Sequence, residues 1–463
     1  MGISLRNDSH FTTLISRQYH PVLITPLTHP LKGMKSPDSC IRLNPQDVEL
    51  TKLHNGLVIA ALENYSPVAK VGIFLKAGSR YEDAGNLGIT HCLRVASNMS
   101  SKKASPFKLT RAIEAVGGSL RVISTRDLML YTVGCLRDSI DDLMEYLSAI
   151  VLAPEFRPWE VASIRDRLKV EKEIAYHQLQ RRMLENLHAA AYRNTLCNSL
   201  YCPDFMLGQF TCEQLHKYVK KHFCVGQMAI VGIGMTLSQL TKAAQQLFGK
   251  ASGYGQAGPK ALYGGGEHRE GTSEPLVHAA VVCEGEAVSS QESLAFTALQ
   301  QVLGVGPHVK RGSGMTSTLT RAISKSTAQP FTASAFNVCY QDSGLFGVYT
   351  ISQDEAAADV INAAVSHLKH VADGKISEED IERGKNQLIA RNLMAMETLD
   401  TLLEEMGLQI LTTGTYISPI SAVDQIKEIS KKDVVKAAEK FASGTKSMAV
   451  CGRLASTPFL DEL

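Results

Sequence analysis

Leu109-Thr110-Arg111-Ala112-Ile113 recurs as Leu319-Thr320-Arg321-Ala322-Ile323 in a chain of 463 residues. Five matching residues carry little alone, but a similar succession of elements follows each copy. After the first, the chain turns at Gly117-Gly118, alternates over 119–125 and runs through the strand-like 128–133. After the second, Pro330 leads into 332–340 and then 345–351, where Tyr349-Thr350-Ile351 echoes Tyr131-Thr132-Val133. An internal duplication accounts for both.

Each half then offers an amphipathic helix. Leu143, Leu147, Ile150 and Val151 lie at i, i+4, i+7 and i+8 in a segment that stops before Pro154. Val360, Ala364, Leu368 and Val371 repeat the pattern and end at Gly374. A further helix is expected from Pro158 in one half and from Ser377 in the other, where Ser377-x-x-Asp380 resembles a capping box. Residues 71–77 and 277–283 read as buried strands. Between the halves, 249–275 holds eight glycines. It has neither G-K-[ST] nor G-x-G-x-x-G opening a helix, so it reads as a flexible linker rather than a phosphate cradle. The expected fold is α+β: two homologous domains, 47–248 and 276–463, each a mainly antiparallel sheet backed by helices, joined by the Gly-rich linker 249–275.

The composition is that of a globular protein, with 44% hydrophobic and 20% charged residues. A net charge of +2 gives no argument for nucleic acid. No run approaches the roughly 18 to 20 apolar residues of a membrane-spanning helix, so membrane association is expected only through partners. Residues 1–46 carry Arg6, Arg17, Lys32, Lys35 and Arg42 against Asp8 and Asp38. That balance suits a mitochondrial targeting segment, with a disordered tail as the alternative. None of the ten cysteines forms a C-x-x-C pair, so buried free thiols are expected.

One helix-start segment carries the outline of a chemistry. Gly88-Ile89-Thr90-His91-Cys92-Leu93-Arg94-Val95 lies in register with the inverted zinc motif H-x-x-E-H. There, two histidines four apart share one helix face and bind zinc, and the glutamate activates water. Here Arg94 stands at the base position and Val95 at the second ligand position. Arginine accepts no proton near neutral pH, and valine has no lone pair.

These residues, with Ala77-Gly78-Ser79-Arg80-Tyr81-Glu82 and Ala115-Val116-Gly117-Gly118, resemble the pitrilysin-type mitochondrial processing peptidases. The strings Glu185-Asn186-Leu187-His188-Ala189-Ala190-Ala191-Tyr192, Asp342-Ser343-Gly344-Leu345-Phe346-Gly347 and Thr457-Pro458-Phe459 resemble the family's noncatalytic branch. That branch comprises the core subunits of the respiratory ubiquinol–cytochrome c reductase, complex III. The resemblance runs from about residue 47 to 463. It implies a third metal-ligand position at Glu171, although the charged run 165–173 reads by itself as a solvated helix face. It also implies substrate-clamp positions at Ser324 and Phe331, where active relatives carry arginine and tyrosine. Gly304-Val305-Gly306-Pro307-His308 through Gly312-Ser313-Gly314 partly matches a substrate-binding glycine-rich loop, and a turn explains these glycines equally well.

The resemblance implies no catalytic residue, metal or cofactor of the chain's own, with His91, Arg94, Val95 and Glu171 as vestigial motif positions. It implies a structural role at the matrix side of the mitochondrial inner membrane. The partners would be a homologous core subunit and the cytochrome and iron–sulfur subunits of a dimeric multi-subunit assembly. Two alternatives stay open. One is a noncatalytic presequence-binding subunit of a processing peptidase. The other is an active hydrolase recruiting His177, His188, His216 or His222, although Leu184, Leu187 and Ala191 make His188 read as a packed core histidine.

Overall fold

The computed structural model describes residues 47–255, 258–306 and 317–463. Its first half contributes strands β1 (Glu49–Lys52), β2 (Val58–Leu62), β3 (Val68–Leu75), β4 (Ser119–Ser124), β5 (Met129–Leu136) and β6 (Met228–Ile233). Its helices are α1 (Ile89–Ala96), α2 (Pro106–Ala115), α3 (Ile140–Leu152), α4 (Pro158–Tyr176), α5 (Leu179–Ala191), α6 (Cys212–His222) and α7 (Leu237–Phe248). The second half contributes β7 (Gly266–Gly271), β8 (Leu276–Glu284), β9 (Phe331–Cys339), β10 (Gly344–Gln353) and β11 (Lys446–Gly452). With them come α8 (Ser293–Leu303), α9 (Thr318–Ile323), α10 (Ala357–Ala372), α11 (Glu378–Met396), α12 (Leu399–Thr413), α13 (Pro419–Glu428) and α14 (Lys431–Ser443).

The strand orders are β1-β2-β6-β3-β5-β4 and β7-β11-β8-β10-β9. In each sheet one pair is parallel, β2 with β6 and β7 with β11, and every other pairing is antiparallel. Apart from β1, the two orders superimpose strand for strand. The two copies of the five-residue repeat lie in α2 and α9, and a serine caps each helix: Ser105 accepts from the Lys108 N–H and Ser317 from the Thr320 N–H.

This equivalence corrects the reading of 249–275. Its six residues Gly266–Gly271 form β7, the counterpart of β2, and belong to the second sheet. The stretch before it is tethered rather than loose. Arg193 N–H donates to Leu262 O (2.9 Å), Leu262 N–H to Asn194 Oδ1 (2.8 Å), and Gly264 N–H to Ala191 O (2.8 Å).

The strands are buried on both faces, which is why they read as apolar runs. In β3, Val71, Ile73 and Leu75 enter a core shared with α1, α3, α4, α6 and α7. Phe74 points the other way, with Ala60, Leu130 and Val231, against Leu403, Met406 and Ile410 of α12. In the second sheet, Val348 and Val281 face α8, α10 and α14. Ala280, Val282 and Leu345 face Met183, Leu187 and Ala191 of α5. The halves therefore exchange helices: α5 of the first covers the second sheet, and α12 of the second covers the first.

Candidate functional site

The segment that resembles the inverted zinc motif sits on α1, whose start is fixed by two devices. Gly88 takes φ +83°, and a Cβ there would stand 2.5 Å from Cys202 Cα, so only glycine fits. Glu82, buried, then takes the orphan donors of the first turn. Its carboxylate accepts from Gly88 N–H (2.7 Å), Thr90 N–H (2.9 Å) and Thr90 Oγ1–H (2.6 Å). Burial lifts this carboxyl to about 7 against the pull of those donors.

Of the residues singled out in sequence, three converge. His91, fully buried, lies with its Nε2 3.2 Å from Glu171 Oε2, and Arg94 Nη2 donates to the same oxygen at 2.6 Å. Glu171 projects from α4 toward α1 and is about one-third exposed, so the charged run 165–173 is not solely a solvated face. The Cys202 N–H donates to His91 Nδ1 at 3.1 Å, which makes Nδ1 the acceptor and puts the proton on Nε2. Burial lowers the imidazole pKa further, so the ring is neutral and donates to Glu171. The His91 hydrogen bond and the Arg94 guanidinium in turn hold the Glu171 carboxyl down to about 2.

That donor set does not fit zinc. The imidazole nitrogen facing Glu171 carries a proton, the carboxylate is engaged by a guanidinium, and Val95 is packed in the first core. A zinc site takes at least three protein ligands. Among the described residues no group of three or more histidine, cysteine, aspartate or glutamate side chains is placed to hold a metal. Beside the triad lies a cavity of about 370 Å³, walled in part by Arg94, Ile123, Ile174, Arg181 and Tyr201.

The other positions lie apart from this cluster. Ser324 ends α9, its hydroxyl turned back to Arg321 O (3.1 Å), and Phe331 opens β9 and packs on the second core. Gly304 and Gly306 take φ +114° and +138°, and 307–316 of the glycine-bearing segment lies outside the described residues, as does 1–46. His188 has both ring nitrogens engaged, by Leu184 O (2.7 Å) and Tyr340 Oη (2.5 Å). His222 packs against the Tyr218 and Tyr81 rings, with burial taking its pKa to about 4. His216 meets Glu155 O, and His177 is exposed.

Sequence reading did not single out a polar seam between the halves. Arg80 bridges Asp127 of its own half and Asp342 of the other at 2.7 Å each, and beside it Arg126 pairs with Glu185 of the same half at 3.0 Å. The only signal in sequence was the presence of Arg80, Glu185 and Asp342 within the strings that carried the resemblance.

Residues 58–204 match the profile of Insulinase (Peptidase family M16), and 209–388 that of the Peptidase M16 inactive domain. The chain belongs to peptidase family M16. Among M16 relatives it is 53% identical to cytochrome b-c1 complex subunit 2, mitochondrial, of Homo sapiens, over 90% of this chain and 92% of that protein. The Mus musculus protein of the same name is 52% identical, over 91% and 93%. A probable mitochondrial-processing peptidase subunit alpha-1 of Arabidopsis thaliana is 30% identical, over 95% and 89%. The M16 profiles meet between 204 and 209, ahead of α6, so the second of them begins well before the second sheet.

Proposed function

We propose that this chain is a noncatalytic structural subunit of the mitochondrial cytochrome b-c1 complex, respiratory complex III. The observation that carries the reading is the 53% identity to subunit 2 of that complex across nine-tenths of the chain. The chain pairs with a homologous core subunit and contributes to the assembly and stability of the cytochrome and iron–sulfur subunits. It lies peripherally on the matrix side of the inner membrane. No helix of the described residues is long and apolar enough to cross a membrane, which supports a peripheral placement. Residues 1–46 act as the targeting segment, and the two peptidase-like domains are 47–248 and the second sheet with its helices, which takes in β7 (Gly266–Gly271) as well as 276–463.

His91, Arg94, Val95 and Glu171 are the relic of a zinc site, and Ser324 and Phe331 that of a substrate clamp. What supports this is chemical. A base must accept a proton from water, and Arg94 instead carries a permanent charge engaged by Glu171. His91 and Glu171 then serve to seat α1 on α4.

Mitochondria solubilised in digitonin and resolved under native conditions test the reading. The chain should co-migrate with haem-bearing subunits, and its depletion should lower assembled b-c1 complex. Migration as a small soluble heterodimer that binds presequences would replace it by the processing-peptidase alternative. Stoichiometric zinc with chelator-sensitive peptide cleavage would overturn the noncatalytic assignment.

A further inference from the structure

A second cavity, of about 300 Å³, lies along the N-terminal half of α4. Its walls are Val161, Ile164 and Leu168 of α4 and Phe210 of the segment entering α6. The buried Cys92 side chain also lines it. That volume is at the lower end of the roughly 300–1,000 Å³ of small-molecule sites.

The rim has a different character. Arg165 lines the mouth with no ion pair among the described residues. Its stem lies over the backbone of Gly208, where φ is +80° and a Cβ would stand 3.2 Å from Arg165 Cδ. Glycine at that position lets the guanidinium reach the opening. Asp166, the next residue of the helix, projects about 100° away. Asp204, the acid of the neighbouring turn, is taken by Lys172 at 2.8 Å. The α6 N-terminus, closed by the Thr211–Gln214 capping box and carrying Glu213 in its first turn, opens on the same rim. Trp159, in the first turn of α4, and Phe205 are 67% and 68% exposed. An apolar slot with a single free cation at its mouth has one complementary ligand chemistry.

We propose that this cavity binds a free medium-chain alkyl carboxylate, the chain between Val161, Leu168 and Phe210 and the carboxylate on Arg165. The small volume and the one cation select a free carboxylate over a two-chain phospholipid. The proposal does not depend on the role in the b-c1 complex.

Dodecanoate titrated into the full-length chain by calorimetry tests it, together with the rate of Cys212 alkylation by iodoacetamide, read by peptide mass spectrometry. Cys212 lines the cavity and is half-buried. Saturable binding at one site and slowed alkylation are expected. Arg165→Gln should weaken dodecanoate about tenfold, the loss of one charge-assisted contact, and leave dodecanol binding unchanged. Ala162→Trp, at an exposed rim position, should abolish binding while the thermal midpoint stays put. No saturable binding, or binding indifferent to Ala162→Trp in a folded protein, would overturn the proposal. So would protection of Cys212 by anionic phospholipid vesicles with none by dodecanoate.

Discussion

The exchanged helices α5 and α12 do the same job in opposite ways. Helix α12 seats on the first sheet through Leu403, Met406 and Ile410, and Gly407 lets the helix press onto the Phe74 ring. Its ion pairs, Lys70–Asp400 and Arg121–Glu404, stay at the rim, each with a carboxylate more than two-fifths exposed. Helix α5 also carries an apolar row, Met183, Leu187 and Ala191, but polar contacts run along it. Glu185 takes Arg126, His188 meets Tyr340, Asn186 and Arg182 hold Glu270, and the neighbouring Tyr192 donates to Gly344 O. Apolar contact stabilises in proportion to area and tolerates sliding. Buried charge gains little net stability, since desolvation offsets attraction, but a wrong register leaves a charge unpaired. The first seat supplies stability, and the second fixes one geometry of the halves.

The comparison breaks most visibly at Arg126. With Glu185 it forms a pair in which both side chains are under a tenth exposed. Arg126→Met alone strands Glu185 in the interior and should cost about 3–5 kcal/mol in denaturant unfolding. The double variant Arg126→Met with Glu185→Leu should recover most of that loss. A double variant as unstable as the single would show that this buried pair contributes net stability of its own.

On the apolar side, Leu403→Ala should cost about 2–5 kcal/mol by transfer and cavity terms. Gly407→Ala comes next. A Cβ there would meet Phe74 Cζ at 2.0 Å, and overpacking of this kind costs about 1–3 kcal/mol. Both should shift the denaturation midpoint at every pH alike, because neither touches a titrating group. A pH-dependent effect would mean that the two seats are not separable.

The duplication was legible because it rests on local signals, the periods of strand and helix and the turn residues between them. The exchange was not. A helical stripe such as Leu184, Leu187 and Ala191 says that a face is buried, not which sheet buries it. Glu171 looked solvated for a related reason. A charged run reads as surface, and its contact with His91 spans 80 positions. Strand β7 was hidden because Gly-Glu-His-Arg-Glu-Gly has no apolar run. It is an edge strand whose pairing with β11 lies far along the chain.

The pH response should separate the seats by a smaller margin. Burial first, and then the nearby Arg126, hold His188 well below its usual pKa, so the folded protein leaves it neutral. The unfolded chain binds a proton there below about pH 6.5. More protons on the unfolded state make stability rise with pH, so the contribution is full above 6.5 and is lost as pH falls. The slope is at most about 1.4 kcal/mol per pH unit for one histidine. Burial lowers His222 and His367 to about 4, which adds slope of the same sign between roughly pH 4 and 6.5. Glu171, held to about 2 in the folded state, adds slope of the same sign only as pH falls toward the unfolded value of about 4.5, whereas Glu82, lifted to about 7, adds slope of the opposite sign between about 4.5 and 7. His188→Gln should flatten the difference between midpoints measured at pH 5 and pH 7, whereas Leu403→Ala should leave it intact.

The least effect is expected at the rim of the apolar seat. Arg121 and Glu404 bridge the halves at 3.3 Å with 60% and 41% of their side chains exposed. Water screens such a pair, and ordering two long side chains offsets most of the attraction. Arg121→Ala should therefore change stability by no more than about 0.5 kcal/mol, and 1 M salt should erase even that. It is a bridge between halves as much as Arg80–Asp342 is, so a loss near that of Arg126→Met would reverse the argument. Contact across the junction would then matter more than burial, and the distinction between the two seats would dissolve.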